Sequence, residues 1–277
     1  MDTRCRIEML GELKLLQGDR AITRFRTYKT GVLLAYLAFY RQRAHPREEL
    51  IALLWPDCEP EAGRNSLSQA LSSLRNQLEP PGVPAGAILR ADRASVQIVA
   101  ERVATDVVEF EAALRAAGQA GANAVLLAEA VERYGGELLP GYYEDWNLQE
   151  RAYLQEAYLQ AVSRLVRLLE QAGDQERALA YARRAVQADP LREEAQETLI
   201  RLYAAAGQPE AARRQFQQME QTLAKELGAS PGSALRAFVQ QLPKEGAAPP
   251  LPSPSRSARS RVPALPTGTV TFLRIEA

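Results

Sequence analysis

The residues best placed to do chemistry lie in the stretch EAGRNSLSQALSSLRNQL, residues 61–78. At about 100° per residue, Leu67, Leu71, Leu74 and Leu78 fall on one stripe with Ala70 beside it, which predicts an amphipathic helix. Asn65, Gln69, Ser72, Ser73 and Asn76 lie opposite, and Arg64, Ser68 and Arg75 occupy a flank between the two faces. No acid occurs between Glu61 and Glu79. A face of amides, hydroxyls and guanidiniums, free of repelling carboxylates, can hydrogen-bond to base edges and phosphate oxygens. A neutral helix packed against a protein partner would carry the same groups, so the face alone leaves both readings open.

Catalytic chemistry finds little to work with. The only histidine, His45, precedes Pro46 at the start of a predicted helix, a position that suits a cap or an exposed loop, and one His cannot build a His-based metal cluster. There is no glycine-rich phosphate loop, no G-x-S-x-G and no CxxC. Cys5 falls in a predicted strand and Cys58 in a turn; they have no metal-ligand spacing and read as a small buried hydrophobe and an incidental turn residue. Glu48-Glu49 and Glu193-Glu194 read as first-turn acids favoured by the helix dipole. The expectation is a non-enzyme with no catalytic residues, no metal site and no cofactor.

The elements that must position the polar face are legible on both sides of it. Residues 5–17, CRIEMLGELKLLQ, alternate as two short strands broken near Gly11-Glu12, and Gly18-Asp19 marks a turn. Thr30 to Tyr40 carries a strong apolar helix pattern, and Arg47 to Trp55 a shorter amphipathic one that ends at the turn Pro56-Asp57-Cys58-Glu59-Pro60. After the Pro/Gly break at 80–86, Ala87–Arg90 and Ser95–Val99 read as a β-hairpin with Arg90 and Arg93 near its tip, where cations reach a minor groove or the adjacent backbone. Helix, turn, helix, hairpin is the order of a winged helix-turn-helix, whose second helix enters the major groove.

These residues also carry a resemblance. Leu33-Leu34-Ala35-Tyr36-Leu37-Ala38, Arg47-Glu48-Glu49-Leu50, Leu54-Trp55-Pro56-Asp57, Arg64-Asn65-Ser66-Leu67, Gln69-Ala70-Leu71 and Leu74-Arg75 resemble the OmpR/PhoB-type DNA-binding domain of SARP-type transcriptional activators. In that family a helical bacterial transcriptional activator domain follows. Ala104-Thr105-Asp106-Val107 with Phe110 resembles its opening, and the run Tyr134-Gly135-Gly136-Glu137-Leu138-Leu139-Pro140-Gly141-Tyr142-Tyr143, then Trp146 and Glu150-Arg151, resembles its middle. The likeness spans roughly residues 5–242. One departure is the wing tip, Asp92-Arg93-Ala94-Ser95, which lacks the glycine often found there.

Beyond residue 104 helix follows helix, at 107–117, 122–134, 145–170, 175–188, 193–205 and 209–227. Gly173 and Gly207 stand 34 residues apart, the tetratricopeptide period, and Ala178 and Ala212 keep the same offset. Such repeats stack into a concave surface suited to peptides or other subunits. The aromatic cluster Tyr142, Tyr143 and Trp146 reads as inter-helix packing or as a contact surface towards the winged helix or another chain. Arg183-Arg184 and Arg213-Arg214 read as a solvated face or as a groove for an acidic partner.

The chain has 277 residues and zero formal net charge, but that zero averages unlike parts. Residues 1–105 hold 15 Lys+Arg against 12 Asp+Glu, residues 106–245 hold 15 against 21, and residues 246–277 hold 4 against 1. A modest basic excess predicts moderate, strongly salt-dependent affinity for DNA and a need for paired sites. Residues 243–266 are rich in Pro, Ala, Ser and Arg and read as a disordered linker. Thr269–Leu273 resembles the first strand of class III nucleotide cyclase domains, without their metal-binding aspartate. No run approaches the roughly 18–20 apolar residues of a membrane span, and the N-terminus lacks a signal-peptide core, so a cytoplasmic location with no membrane partner is expected.

The expected fold is mainly α: a winged helix with short strands over 1–103, an all-α, tetratricopeptide-like domain over 104–242, and a flexible tail over 243–277. The expected function is a sequence-specific regulator of transcription, an activator, reading double-stranded DNA with Arg64, Asn65, Ser68, Gln69, Ser72, Ser73, Arg75 and Asn76, and contacting the backbone or minor groove with Arg90 and Arg93. Arg75 can also serve the fold. The family resemblance implies that the helical domain supports homo-dimerisation or contacts RNA polymerase. Two other classes stay open: a regulatory fragment of a larger nucleotide cyclase or signalling ATPase, and a protein-interaction scaffold.

Overall fold

The computed structural model describes residues 5–119, 121 and 123–243. The expected linker beyond 243 and the strand at Thr269–Leu273 lie outside the described residues. Two strands, β1 (Cys5–Glu8) and β2 (Lys14–Gln17), form an antiparallel pair, and β3 (Arg20–Ile22) adds to the far edge of β2. The alternation predicts the faces: Cys5, Ile7 and Leu15 are fully buried, while Arg6 and Lys14 are not.

Helix α1 (Tyr28–Phe39) is apolar nearly all round and is buried accordingly from Thr30 to Ala38. Thr27 caps it, its Oγ1 accepting from the Thr30 N–H at 3.2 Å. After β4 (His45–Pro46) come α2 (Arg47–Leu54) and α3 (Pro60–Leu78), the latter with proline in its first turn, where no N–H is needed. The hairpin of β5 (Leu89–Ala91) and β6 (Ser95–Ile98) then pairs with β4, giving the sheet order β4-β6-β5. Leu67, Leu71, Leu74 and Leu78 of α3 are all buried, as the stripe predicts.

Next, β7 (Val103–Thr105) lies parallel to β1, closing the first sheet in the order β3-β2-β1-β7. The all-α part follows without a linker: α4 (Asp106–Gln119), α5 (Ala124–Glu132), α6 (Asp145–Gln171), α7 (Gln175–Ala188), α8 (Glu193–Ala205), α9 (Pro209–Leu227) and α10 (Ser233–Gln241). From α4 to α9 each helix packs on the next. Gly173 and Gly207 end corresponding helices in the left-handed conformation, at φ +77° and +70°, and Ala178 and Ala212 are fully buried where the paired helices meet. The short amphipathic α10, not anticipated as a separate helix, places Leu235 and Val239 against Phe216, Met219 and Leu223 of α9.

A division at residues 103 and 104 falls inside β7, and the chain through Leu242 forms one compact unit. Three junctions, among other contacts, join the parts. Asp106, buried at the head of α4, accepts the Met9 and Leu10 N–H groups at 2.8 and 2.7 Å as well as its neighbour Val107 at 2.9 Å. Burial pushes its carboxyl up in pKa, while these N–H donors pull it back down. Loop 135–142 meets the end of β1: Gly11 N–H donates to the Glu137 carbonyl at 2.8 Å and Leu139 N–H to the Met9 carbonyl at 2.9 Å. Gly135 is required there, because a Cβ would stand 2.8 Å from the Leu10 carbonyl oxygen. Leu139 holds a positive φ of 48°, and Arg151 secures the loop by donating to the carbonyls of Leu138, Leu139 and Tyr142.

The third junction is aromatic. Trp146 packs edge-on against Tyr36, with Phe39 and Tyr40 around it, and Tyr142 stacks on Tyr28 at 5.1 Å. Two of the three clustered aromatics thus bind the helical part to α1, while Tyr143 is 71% exposed.

His45 departs from expectation: it is neither a cap nor exposed. It is fully buried in β4, opposite Val96, with its Nε2 donating to the Tyr40 carbonyl at 3.1 Å. The ladder places it there; Pro46, not His45, precedes α2. Burial lowers the ring's pKa below its usual 6.5, helped by Arg43 and opposed by the Tyr40 contact and Glu49.

Two outcomes follow from these contacts. Asp106→Ala leaves the buried N–H groups of Met9 and Leu10 without their acceptor, and at about 1–3 kcal/mol for each urea unfolding should show a loss of roughly 2–6 kcal/mol. For His45, the unfolded chain takes up a proton near pH 6.5 while the folded chain resists it. Stability should therefore fall as pH drops from 7.5 to 5.5, and His45→Gln should flatten that part of the profile in denaturant titrations.

Candidate nucleic-acid interface

The exposed face of α3 is held by contacts at both of its ends. At its N-terminal end Gly63 lets α2 approach, since a Cβ there would meet Ile51 Cγ2 at 2.6 Å. At its C-terminal end Gln17 Nε2 donates to the Leu78 carbonyl at 2.6 Å. Just past that end the Glu79 carboxylate, almost wholly buried, accepts the N–H groups of Gly86, Ile88 and Leu89 at 2.8–2.9 Å. One carboxylate thereby ties the helix end to the base of the wing.

Of the predicted contact residues, Asn65, Gln69, Ser72 and Asn76 are exposed and make no side-chain hydrogen bond among the described residues. Ser73 is half-buried at the edge of the same face. Arg64 is exposed, with Nε 3.2 Å from Glu48 Oε1, a surface pair of small energy that a phosphate can displace. Ser68 is already engaged, donating to the Arg64 carbonyl at 2.8 Å and accepting from Arg47 Nη2 at 3.1 Å. Arg75 is partly exposed and stands 3.8 Å from the Glu79 carboxylate, so it also neutralises the group that anchors the wing.

Arg90 and Arg93 are exposed on the wing. The missing glycine at the tip is replaced by a side-chain cap: Asp92 Oδ1 accepts the N–H groups of Ala94 and Ser95 at 2.8 and 2.7 Å, so no residue of the turn needs a positive φ. Those N–H groups hold the Asp92 carboxyl below its ordinary pKa. Arg75, Arg90, Asp92, Ser95 and Gln97 line the groove between α3 and the wing.

Arg47 was not anticipated as a member of this surface. Its backbone N–H donates to Ala94 of the wing and its guanidinium to Ser68 of α3, so it links three elements. Its place at the head of α2 was visible in the sequence; its reach across to Ser68 depends on how the helices cross. The surface offers hydrogen-bonding groups and cations, and among the described residues no group of three or more His, Cys, Asp or Glu could hold a metal. Among the described residues no helix is long and apolar enough to cross a membrane.

Residues 102–242 match the family described as the bacterial transcriptional activator domain. A solved structure, Mycobacterium tuberculosis EmbR in complex with a low affinity phosphopeptide, is similar at a TM-score of 0.66 and 23% identity. The match covers 87% of this chain and 65% of that one, so this chain spans about two thirds of that chain's length. No curated protein matches the chain.

The Asp92 cap has a measurable consequence. Asp92→Ala should speed amide hydrogen exchange at Ala94 and Ser95 while leaving exchange in α3 unchanged; equal protection at the tip in both proteins would refute the role of the cap.

Proposed function

Since the chain belongs to the bacterial transcriptional activator domain family, with the winged-helix-then-helical order that SARP-type regulators display, we propose that it activates transcription by binding double-stranded DNA in a sequence-specific manner. In this reading α3 lies in the major groove. Asn65, Gln69, Ser72, Ser73 and Asn76 read base edges or nearby phosphates, and Arg64 and Arg75 hold phosphates. Ser68 supports Arg47 and Arg64 more than it reads bases. Arg90 and Arg93 meet the backbone or minor groove from the wing. The observation that carries the reading is the exposed face of α3: uncharged amides and hydroxyls, largely unpartnered, flanked by arginines and free of acids.

The rest of the chain supports an arrangement in which this face acts in pairs. The basic excess of residues 1–105 is only three charges, too few for tight binding by a single copy at physiological salt. The helical part, with its acidic excess, is the proposed site of dimerisation or of contact with RNA polymerase.

Selection of bound duplexes from a random pool, read at two salt concentrations, tests the function directly. It should return a defined site, with half-site spacing if two copies bind. In mobility-shift titrations Arg64→Ala/Gln69→Ala should weaken binding at least tenfold, with unfolding unchanged because both side chains are exposed. Unaltered affinity in that double variant refutes the face, and an absence of any salt-sensitive DNA binding favours a protein-interaction scaffold.

A further inference from the structure

The exposed face of α3 has two edges, and only one faces the wing. Along the other edge, Ser66, Gln69 and Ala70 line a second groove together with Trp55, and its opposite wall is Arg26, Thr27, Lys29 and Thr30 at the start of α1. Arg24 and Arg26 are exposed and make no ion pair or hydrogen bond among the described residues. Lys29 is partly exposed, its Nζ 4.0 Å from Glu144, at the outer limit of an ion pair. No Asp or Glu occurs between Asp19 and Glu48, so the wall carries cations with no acid of its own segment to offset them.

We propose that Arg26 and Lys29, with Arg24 beside them, form a second phosphate clamp that takes the DNA strand on the side of α3 away from the wing. The inference rests on the DNA-binding reading above and extends it to the opposite strand. A major groove about 12 Å wide just admits a helix about 10–12 Å across with its side chains. A helix seated there runs between two rows of phosphates. Arg75, Arg90 and Arg93 supply cations to one row. The other row comes to the side of Ser66 and Gln69, and the cations waiting there are those of residues 24–29. Trp55 gives that groove an apolar wall, against which the stems of Arg26 and Lys29 can lie while their charged ends reach out.

The test uses the full chain and a duplex recovered by selection, with affinity followed by fluorescence anisotropy over a range of salt. Each phosphate contact contributes about 0.9 to the slope of log affinity against log salt. Arg26→Gln/Lys29→Gln should therefore lower the slope by about 1.8, weaken binding at low salt, and leave the ranking of base-substituted duplexes unchanged. An unchanged slope in a protein whose wild type binds DNA overturns the clamp alone. An unchanged slope with an altered base preference moves these residues to base edges and also overturns it. A wild-type chain without salt-dependent DNA binding overturns both this inference and the function it extends.

Discussion

The structure depends on one buried carboxylate. Asp106 stands where the first sheet ends and the helical part begins, and it accepts N–H groups from the end of β1 as well as from its own helix. A charge so far from water is costly unless its lone pairs are filled, and here backbone donors fill them. The donors come from a segment nearly a hundred residues earlier, so this local satisfaction is also a long-range lock. Gly135 and the Arg151-held loop complete it from the other side. Through this junction and the Trp146 aromatic contact, α1 has a fixed position against α6. Helix α1 in turn packs on α3. The polar face of α3 therefore belongs to the same body as the repeat helices.

Much of this was legible in the residues. Period predicts α1, α3 and the repeat helices, because their apolar stripes are regular, and glycine marks the ends of repeat helices at Gly173 and Gly207. The hairpin wing was legible from its two β-like runs despite the missing glycine, while the Asp92 side chain that closes its turn emerges only in the structure. What escaped notice depends on tertiary approach. His45 resembles a loop residue until β6 is seen beside it. Ser68 looks like a free hydroxyl until the crossing of α2 brings Arg47 to it. Glu79 reads as a helix-ending acid, and nothing in its neighbours announces that its carboxylate receives three N–H groups of the wing's base.

The surface charge divides along a similar line. Pairing exhausts many cations of the helical part, as with Arg192 and Glu156 or Arg184 and Glu132. In the first hundred residues Arg24, Arg26, Arg90 and Arg93 are exposed, and Arg26 and Arg90 line grooves beside α3, whose polar face has no acid. Net charge zero thus conceals a basic excess in residues 1–105 and again in residues 246–277, set against an acidic excess between them.

The parallel pairing of β1 with β7 also orders events during synthesis. The first strand leaves the ribosome with one neighbour, β2, available at once. Its other edge must wait for Val103–Thr105, its terminal N–H groups for Asp106, and the Gly11 N–H for the carbonyl of Glu137. Until Val103–Thr105 have emerged, β1 is an open edge whose second partner does not yet exist. Strand β1 is consequently made well before its sheet is complete, and in that interval its open edge is available for pairing with a neighbour.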